Sequence, residues 1–273
     1  MIHAKKSLGQ NFLTDKNIAR KIVDSVKLTD QDVVLEIGPG QGALTRLLLE
    51  SAATVIAVEI DPRCADQLGE EFEGNLGSTL HLVRSDILKT DFESLLSEAG
   101  VPPELKVRVV ANLPYNISSP VIQHLLENHR FISDMTLMLQ KEVVERIASA
   151  PGTKEYGSLS VFVQYYAEVK KVFDVPPNAF KPMPKVTSTV VRLNIREKPA
   201  VTVSDARLFF QVVRTAFAQR RKTIANNLRS LIGDQSVVVK LLDEARIEPK
   251  RRAETLSLDE FAAVANHLAI QRS

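Results

Sequence analysis

The chain has 273 residues, 44% hydrophobic and 25% charged, with a net charge of +2 and one cysteine. That is one large domain, or one plus a small one, with enough apolar material for a substantial core. The lone Cys64 excludes an internal disulfide framework and a cysteine-cluster zinc site, and no apolar run is long enough for a membrane span. The N-terminal "MIHAKKSLGQNFL" has no apolar signal core, so the cytoplasm is the expected location.

Strand-like and helix-like runs then alternate. "DVVLEIG" (32–38) reads as a strand and "ALTRLLLES" (43–51) as the helix after it. "ATVIAVEID" (53–61) is the next strand, and "PRCADQLGEEF" (62–72) the next helix, with Pro62 suited to its first turn. "STLHLVRSD" (78–86), "FESLLSEAG" (92–100), "VRVVANLP" (107–114) and "SPVIQHLLEN" (119–128) continue the pattern. "DMTLMLQ" (134–140) and "KEVVERIASA" (141–150) follow, then "LSVFVQYYAEV" (159–169) and "STVVRLNI" (188–195), both read as strands. This alternation predicts an α/β fold with a doubly wound, mostly parallel sheet. The last two strands lack a long helix between them and are expected to form an antiparallel edge.

After "REKPA" (196–200) the remainder is helical: 205–232 as one stretch, 237–245 and 257–269, with Ser257 and Glu260 spaced as a capping box. A boundary near Pro199 divides the chain into domains 1–198 and 199–273, the second small and all-helical. Charge is uneven across it. From Lys181 onward there are 17 Lys/Arg against 9 Asp/Glu, and before it 18 against 24. Such asymmetry suggests an anionic partner for the C-terminal part, although solvated helix faces would give the same count.

Four strand ends carry the chemistry. In "EIGPGQGA" (36–43), Gly38, Gly40 and Gly42 let a ligand approach the backbone, because positive φ costs glycine little. Glu59 lies 21 residues after Gly38, where a carboxylate can accept from both hydroxyls of a ribose. The spacing also satisfies a dinucleotide pattern, so it indicates an adenosine-containing cofactor without separating NAD from S-adenosylmethionine. Asp86 ends the third strand, either as a helix cap or as an acceptor for an adenine amino group. The fourth strand ends in "ANLPYNISSP" (111–120), and ligands of open parallel sheets bind outside the carboxyl ends of strands. Asn and Pro are ordinary turn residues, but turn chemistry leaves Tyr115 unexplained.

An aromatic amine as substrate accounts for all four residues. The Asn112 oxygen and the Leu113 carbonyl can each accept one amine hydrogen, and this aims the nitrogen lone pair at an electrophilic methyl group. Pro114 stiffens that loop and Tyr115 can stack on the base. This is catalysis by positioning and electrostatics, without a covalent nucleophile or a metal. Glu142 and Glu145 read as the polar face of a helix rather than as paired acids.

The N-L-P-Y run resembles the N-[LI]-P-Y motif of the rRNA adenine N6-dimethyltransferases. "GQNFL" (9–13) resembles that family's cofactor-covering segment and "EIGPGQGALT" (36–45) its methyl-donor loop. "FKPMPKV" (180–186) is similar to its F-x-P-x-P-x-V loop, and "FAQRRKTIANNL" (217–228) to its C-terminal basic stretch. The resemblance spans nearly the whole chain. It implies a Rossmann-like S-adenosylmethionine-dependent methyltransferase sheet, with Asn11 and Leu13 closing over the cofactor. Gly38 and Gly40 would approach the cofactor's methionine portion, Glu59 its ribose and Asp86 its adenine, with Asn112 between cofactor and base.

Phe180 would stack on the base opposite Tyr115; the bland reading is an aromatic anchor before a proline-rich turn. The implied partner is the precursor of the small ribosomal subunit and its rRNA, acted on by a monomer without membrane or metal. Arg220, Arg221, Lys222 and Arg229, on an expected helix, would meet phosphate, with Lys5 and Lys6 adding to that footprint. Large-subunit rRNA methyltransferases of the antibiotic-resistance type share the motif and are the alternative. A subunit-assembly checkpoint with secondary catalysis is another. An NAD-dependent oxidoreductase would leave "NLPY" unexplained.

Overall fold

The structure is a computed structural model that describes residues 2–52 and 54–272, without the side chain of Lys6. In chain order it contains β1 (Phe12–Leu13), α1 (Lys16–Val26), β2 (Val33–Ile37), α2 (Thr45–Leu49), β3 (Thr54–Glu59), α3 (Pro62–Glu71) and β4 (Leu80–Arg84). Then come α4 (Phe92–Glu98), β5 (Val107–Asn112), α5 (Ser118–Glu127), β6 (Ile132–Gln140), α6 (Lys141–Ile147), α7 (Ser158–Tyr166) and β7 (Ala167–Val175). The last elements are β8 (Phe180–Lys181), β9 (Ser188–Ile195), α8 (Ala206–Ala216), α9 (Ile224–Ile232), α10 (Gln235–Glu244) and α11 (Leu258–Arg272). Ala53, the first residue of the expected strand 53–61, lies outside the described residues.

Seven strands form one sheet in the order β4-β3-β2-β5-β6-β9-β7. The pairs from β4 to β6 are parallel and β9 runs antiparallel to β6, as expected for a mostly parallel sheet with an antiparallel edge. All five residues of β2 are buried, which is why it reads as an apolar run, interrupted only by Glu36. Chain order reverses between β2 and β5, which places the switch-point crevice at their carboxyl ends. Ile37 pairs with Ala111 there, so Gly38 and Asn112 leave the sheet side by side.

The chain forms two compact units, but not by a single cut near Pro199. One unit is Met1–Val144 with Glu168–Ile195; the other is Glu145–Ala167 with Arg196–Ser273. The helical unit thus recruits 145–167. Most of the expected strand 159–169 instead lies in α7, whose Val161 and Tyr165 join Tyr156, Phe209, Leu228, Leu241 and Phe261 in that unit's core. A short apolar run is ambiguous between strand and buried helix, and packing decided for helix. The strand expected there begins later, as β7.

Helix α1 was not anticipated, although Asp15 caps it by accepting from the Asn17 and Ile18 N–H groups. Pro62 does open α3, and Ser257 and Glu260 close a reciprocal capping box on α11. The stretch 205–232 is two helices, broken over 217–223. Among the described residues, no helix is long and apolar enough to cross a membrane.

Candidate active site

A cavity opens at the switch point. It is lined by the glycine loop after β2, the ends of β3, β4 and β5, and a strap formed by Leu8–Leu13. Gly38 has φ +65°, and a Cβ added there would meet nothing within 4 Å, so its missing side chain is open cavity. At Gly40, φ is +59° and an added Cβ would stand 3.0 Å from the Phe12 ring, so the strap packs directly on the loop.

Two buried carboxylates stand behind the loop. Glu59 is 3% exposed; its Oε2 accepts from the Gly40 N–H at 3.0 Å and its Oε1 from the Asp61 N–H at 2.8 Å. Burial pushes its carboxyl above the usual range, while those backbone bonds oppose the shift. Glu36, 1% exposed, was not singled out in the sequence; its Oε2 has no hydrogen-bond partner. Burial raises its carboxyl to about 8. An unpartnered acceptor on the cavity wall is costly unless a donor arrives.

Asp86 takes the first of its two expected roles, that of a cap. Its Oδ1 accepts from the Leu88 N–H at 3.0 Å, capping a single 3-10 turn, and the residue lines the cavity. Ile60, between the two acids, is half-exposed and supplies apolar wall.

Asn112 ends β5 in a defined orientation. Its Nδ2 donates to the Asn11 carbonyl at 3.1 Å, which leaves Oδ1 as the acceptor end of the amide. Leu113 is buried and its N–H donates to Met138 O at 3.3 Å, so the loop leaves the sheet from a fixed point. The Pro114 carbonyl accepts from Ile117 N at 3.2 Å. Tyr115 lines this cavity and a second one beyond it, bounded by His3, Gln10, Asn116, Lys181 and Pro182.

The strap is tied down at a carboxylate the sequence reading passed over. Asp61 accepts from Gln10 Nε2 at 3.1 Å and from Lys5 Nζ at 3.4 Å, and its side chain is fully buried. Arg63, 2.6 Å away, contributes most to holding the Asp61 carboxyl far below its usual range. Lys5 is thereby engaged within the fold; the Lys6 side chain lies outside the described residues.

Phe180 is buried. β8 pairs antiparallel with β1, Leu13 opposite Phe180, and the residue belongs to the core cluster of Leu13, Ala179 and Val190, where it is 4% exposed. The anchoring alternative describes this position. The basic residues also divide. Arg220, Arg221 and Lys222 lie in the turn between α8 and α9, not on a helix, and only Arg229 is helical. Arg220 donates to the Tyr156 carbonyl at 3.3 Å and pairs with Glu254 at 3.4 Å. Arg221, Lys222 and Arg229 are exposed.

A sequence profile of the ribosomal RNA adenine dimethylase family matches residues 1–269. The chain is 47% identical to a ribosomal RNA small subunit methyltransferase A of Geobacillus sp. (strain WCH70), over 97% of this chain and 91% of that protein. The protein of the same description from Bacillus mycoides is 45% identical, over 98% and 92%. A dimethyladenosine transferase from Plasmodium falciparum superposes with a TM-score of 0.77 at 27% identity, over 93% of this chain and 95% of that one. The 23S rRNA methyltransferase ErmE superposes at 0.68, also 27% identical, over 95% and 100%.

Proposed function

The chain belongs to the ribosomal RNA adenine dimethylase family, and on that premise we propose that it transfers methyl groups from S-adenosylmethionine to N6 of two adjacent adenosines near the 3′ end of small-subunit rRNA during ribosome assembly. Relatives described as small-subunit enzymes share 45–47% of its sequence, whereas the large-subunit enzyme ErmE shares 27%. That contrast favours the small subunit over the antibiotic-resistance alternative.

The cavity residues fit the cofactor. Gly38 leaves room against the backbone, Glu59 and Asp86 offer acceptors for ribose and adenine, and Ile60 offers an apolar face. Asn11 and Leu13 form the wall over the site. When bound, the cofactor supplies a methyl group on a sulfonium, an electrophile that needs no metal activation.

The observation that carries this reading is the Asn112 amide, its nitrogen tied to Asn11 and its oxygen left to accept. That oxygen and the Leu113 carbonyl take the two hydrogens of the target amine, which concentrates electron density on a nitrogen otherwise conjugated with its ring. Tyr115 stacks on the base once it has left the RNA helix. Burial holds the Tyr115 hydroxyl above its usual range, so it is not a base near neutral pH. The proton on the product nitrogen is strongly acidic and needs no side-chain acceptor. The helical unit, with Arg221, Lys222 and Arg229, meets phosphate of the subunit rRNA.

The test is direct. The protein is incubated with methyl-labelled S-adenosylmethionine and small subunits from cells lacking this modification, and the labelled bases are mapped. Label on adjacent adenosines near the rRNA 3′ end is expected; label elsewhere in the rRNA, or none, overturns the reading.

A further inference from the structure

We propose that Ser188 is a positioning residue for the transfer: its hydroxyl, 2.7 Å from the Tyr115 hydroxyl, locks that ring in one orientation at the cavity wall. The proposal rests on the function proposed above and deepens it, since neither the glycine loop nor the N-L-P-Y run contains this residue.

A tyrosine side chain has two rotatable bonds, and backbone anchoring does not fix them. The Tyr115 backbone is held by Leu113 N–H on Met138 O and by Ser118 Oγ, which donates to the Tyr115 carbonyl at 3.3 Å. The far end of the ring is held only if its hydroxyl has a rigid partner. Ser188 is rigid for three reasons. It is fully buried. It opens β9 in register with Gln140 of β6, next to the Lys141 N–H bond to Thr187 O at 3.0 Å. Its neighbour Thr189 donates to Asp174 Oδ1 at 2.6 Å.

The Tyr115 ring is therefore fixed at both ends before any base arrives. A stacking surface already in place avoids the rotamer-ordering cost that binding would otherwise impose. The same bond explains why tyrosine, rather than phenylalanine, stands at a position whose chemistry is stacking. It also assigns a task to the segment after Phe180: the buried Phe180 and the β9 register together deliver Ser188 to the back of the cleft.

Ser188→Ala and Tyr115→Phe remove the bond from opposite sides, and each keeps the ring. Each is expected to lower kcat about 3- to 10-fold, the size of one net hydrogen bond, with the cofactor Kd unchanged. The double variant is expected to be no slower than the worse single one, because both remove one interaction. In 13C-tyrosine-labelled protein without substrate, Ser188→Ala is expected to shift and broaden the Tyr115 Cζ resonance, as the far end of the ring loses its fixed place.

Wild-type kcat in Ser188→Ala, multiplying losses in the double variant, or an equal loss of cofactor affinity would overturn the proposal. If Ser188→Ala does not fold, Tyr115→Phe still decides it: undiminished kcat in that variant overturns it. A wild-type protein that transfers no methyl overturns the proposed function instead, and the Tyr115 Cζ resonance then decides separately whether Ser188 holds Tyr115: an unchanged signal in Ser188→Ala overturns the proposal.

Discussion

Glu36 and Glu59 follow opposite chemistry although both are buried carboxylates at adjacent strand ends. Glu59 has its two backbone donors, while one oxygen of Glu36 has none. Burial raises the Glu36 carboxyl to about 8, with the Thr45 hydroxyl opposing and the Glu59 charge adding to the shift. The folded state then keeps a proton that the unfolded chain releases from its ordinary 4.5 upward. This contribution to stability is complete below pH 4.5 and fades as pH rises toward 8. In Glu36→Gln the thermal midpoint should decline less across that window, leaving the decline that Glu59, raised in the same direction, contributes. A profile as steep as wild type would mean that another group titrates. Glu59→Ala should weaken cofactor binding by about 1.5–3 kcal/mol, on the order of 10- to 100-fold by calorimetry, with RNA affinity retained. Gly38, Glu59, Asp86 and Asn112 were legible because each sits at a strand end that the apolar pattern locates. Glu36, Asp61 and Ser188 were not, because what matters about them is a missing partner, or a partner 51 or 73 residues away.

Arg108 shows how elements are joined below the site. It lies on β5, donates to Asp134 of β6 at 2.9 Å, and reaches the Val26 and Lys27 carbonyls at 2.7 and 3.2 Å. Those carbonyls belong to the C-terminal end of α1, where a cation is favoured by the helix dipole. Its side chain is 11% exposed and that of Asp134 10%. Arg108→Ala should cost about 2 kcal/mol in urea unfolding, because it leaves the largely buried Asp134 with Arg192, 3.4 Å away, as its remaining cation. A loss below about 1 kcal/mol would place the pair among weak surface bridges. Most strands were legible from β-branched apolar runs flanked by turns. The segment 158–166 was not, since "SLSVFVQYY" suits either period and the aromatic core of the helical unit, not local propensity, made it a helix. The burial of Phe180 was not legible for a similar reason: the two-residue pairing of β1 with β8 has no local signature.

For the whole molecule, charge separates structural from binding residues once partners are known. Arg220 braces 154–156 against the helical unit through main-chain carbonyls, so it is part of the fold. Arg221, Lys222 and Arg229 are exposed and remain as the set proposed to meet phosphate. Replacing these three with Ala should flatten the slope of log K against log salt by up to about 2 in subunit binding. An unchanged slope would exclude them from the RNA footprint, and Arg220→Ala should instead lower the thermal midpoint. The sequence asymmetry in charge was legible, but a count cannot distinguish a brace from a free cation.

The pairing of β1 with β8 also orders events in time. Loop, Glu59 and Asp86 are all encoded in the first 86 residues, yet the wall over them is not complete with those residues alone. The strap's Asn11 needs Asn112, 101 residues later, and its Leu13 needs Phe180. Chain synthesis runs from the N-terminus, so a nascent chain carries these cavity residues well before it can enclose them. The cavity is therefore walled only after β8 has emerged.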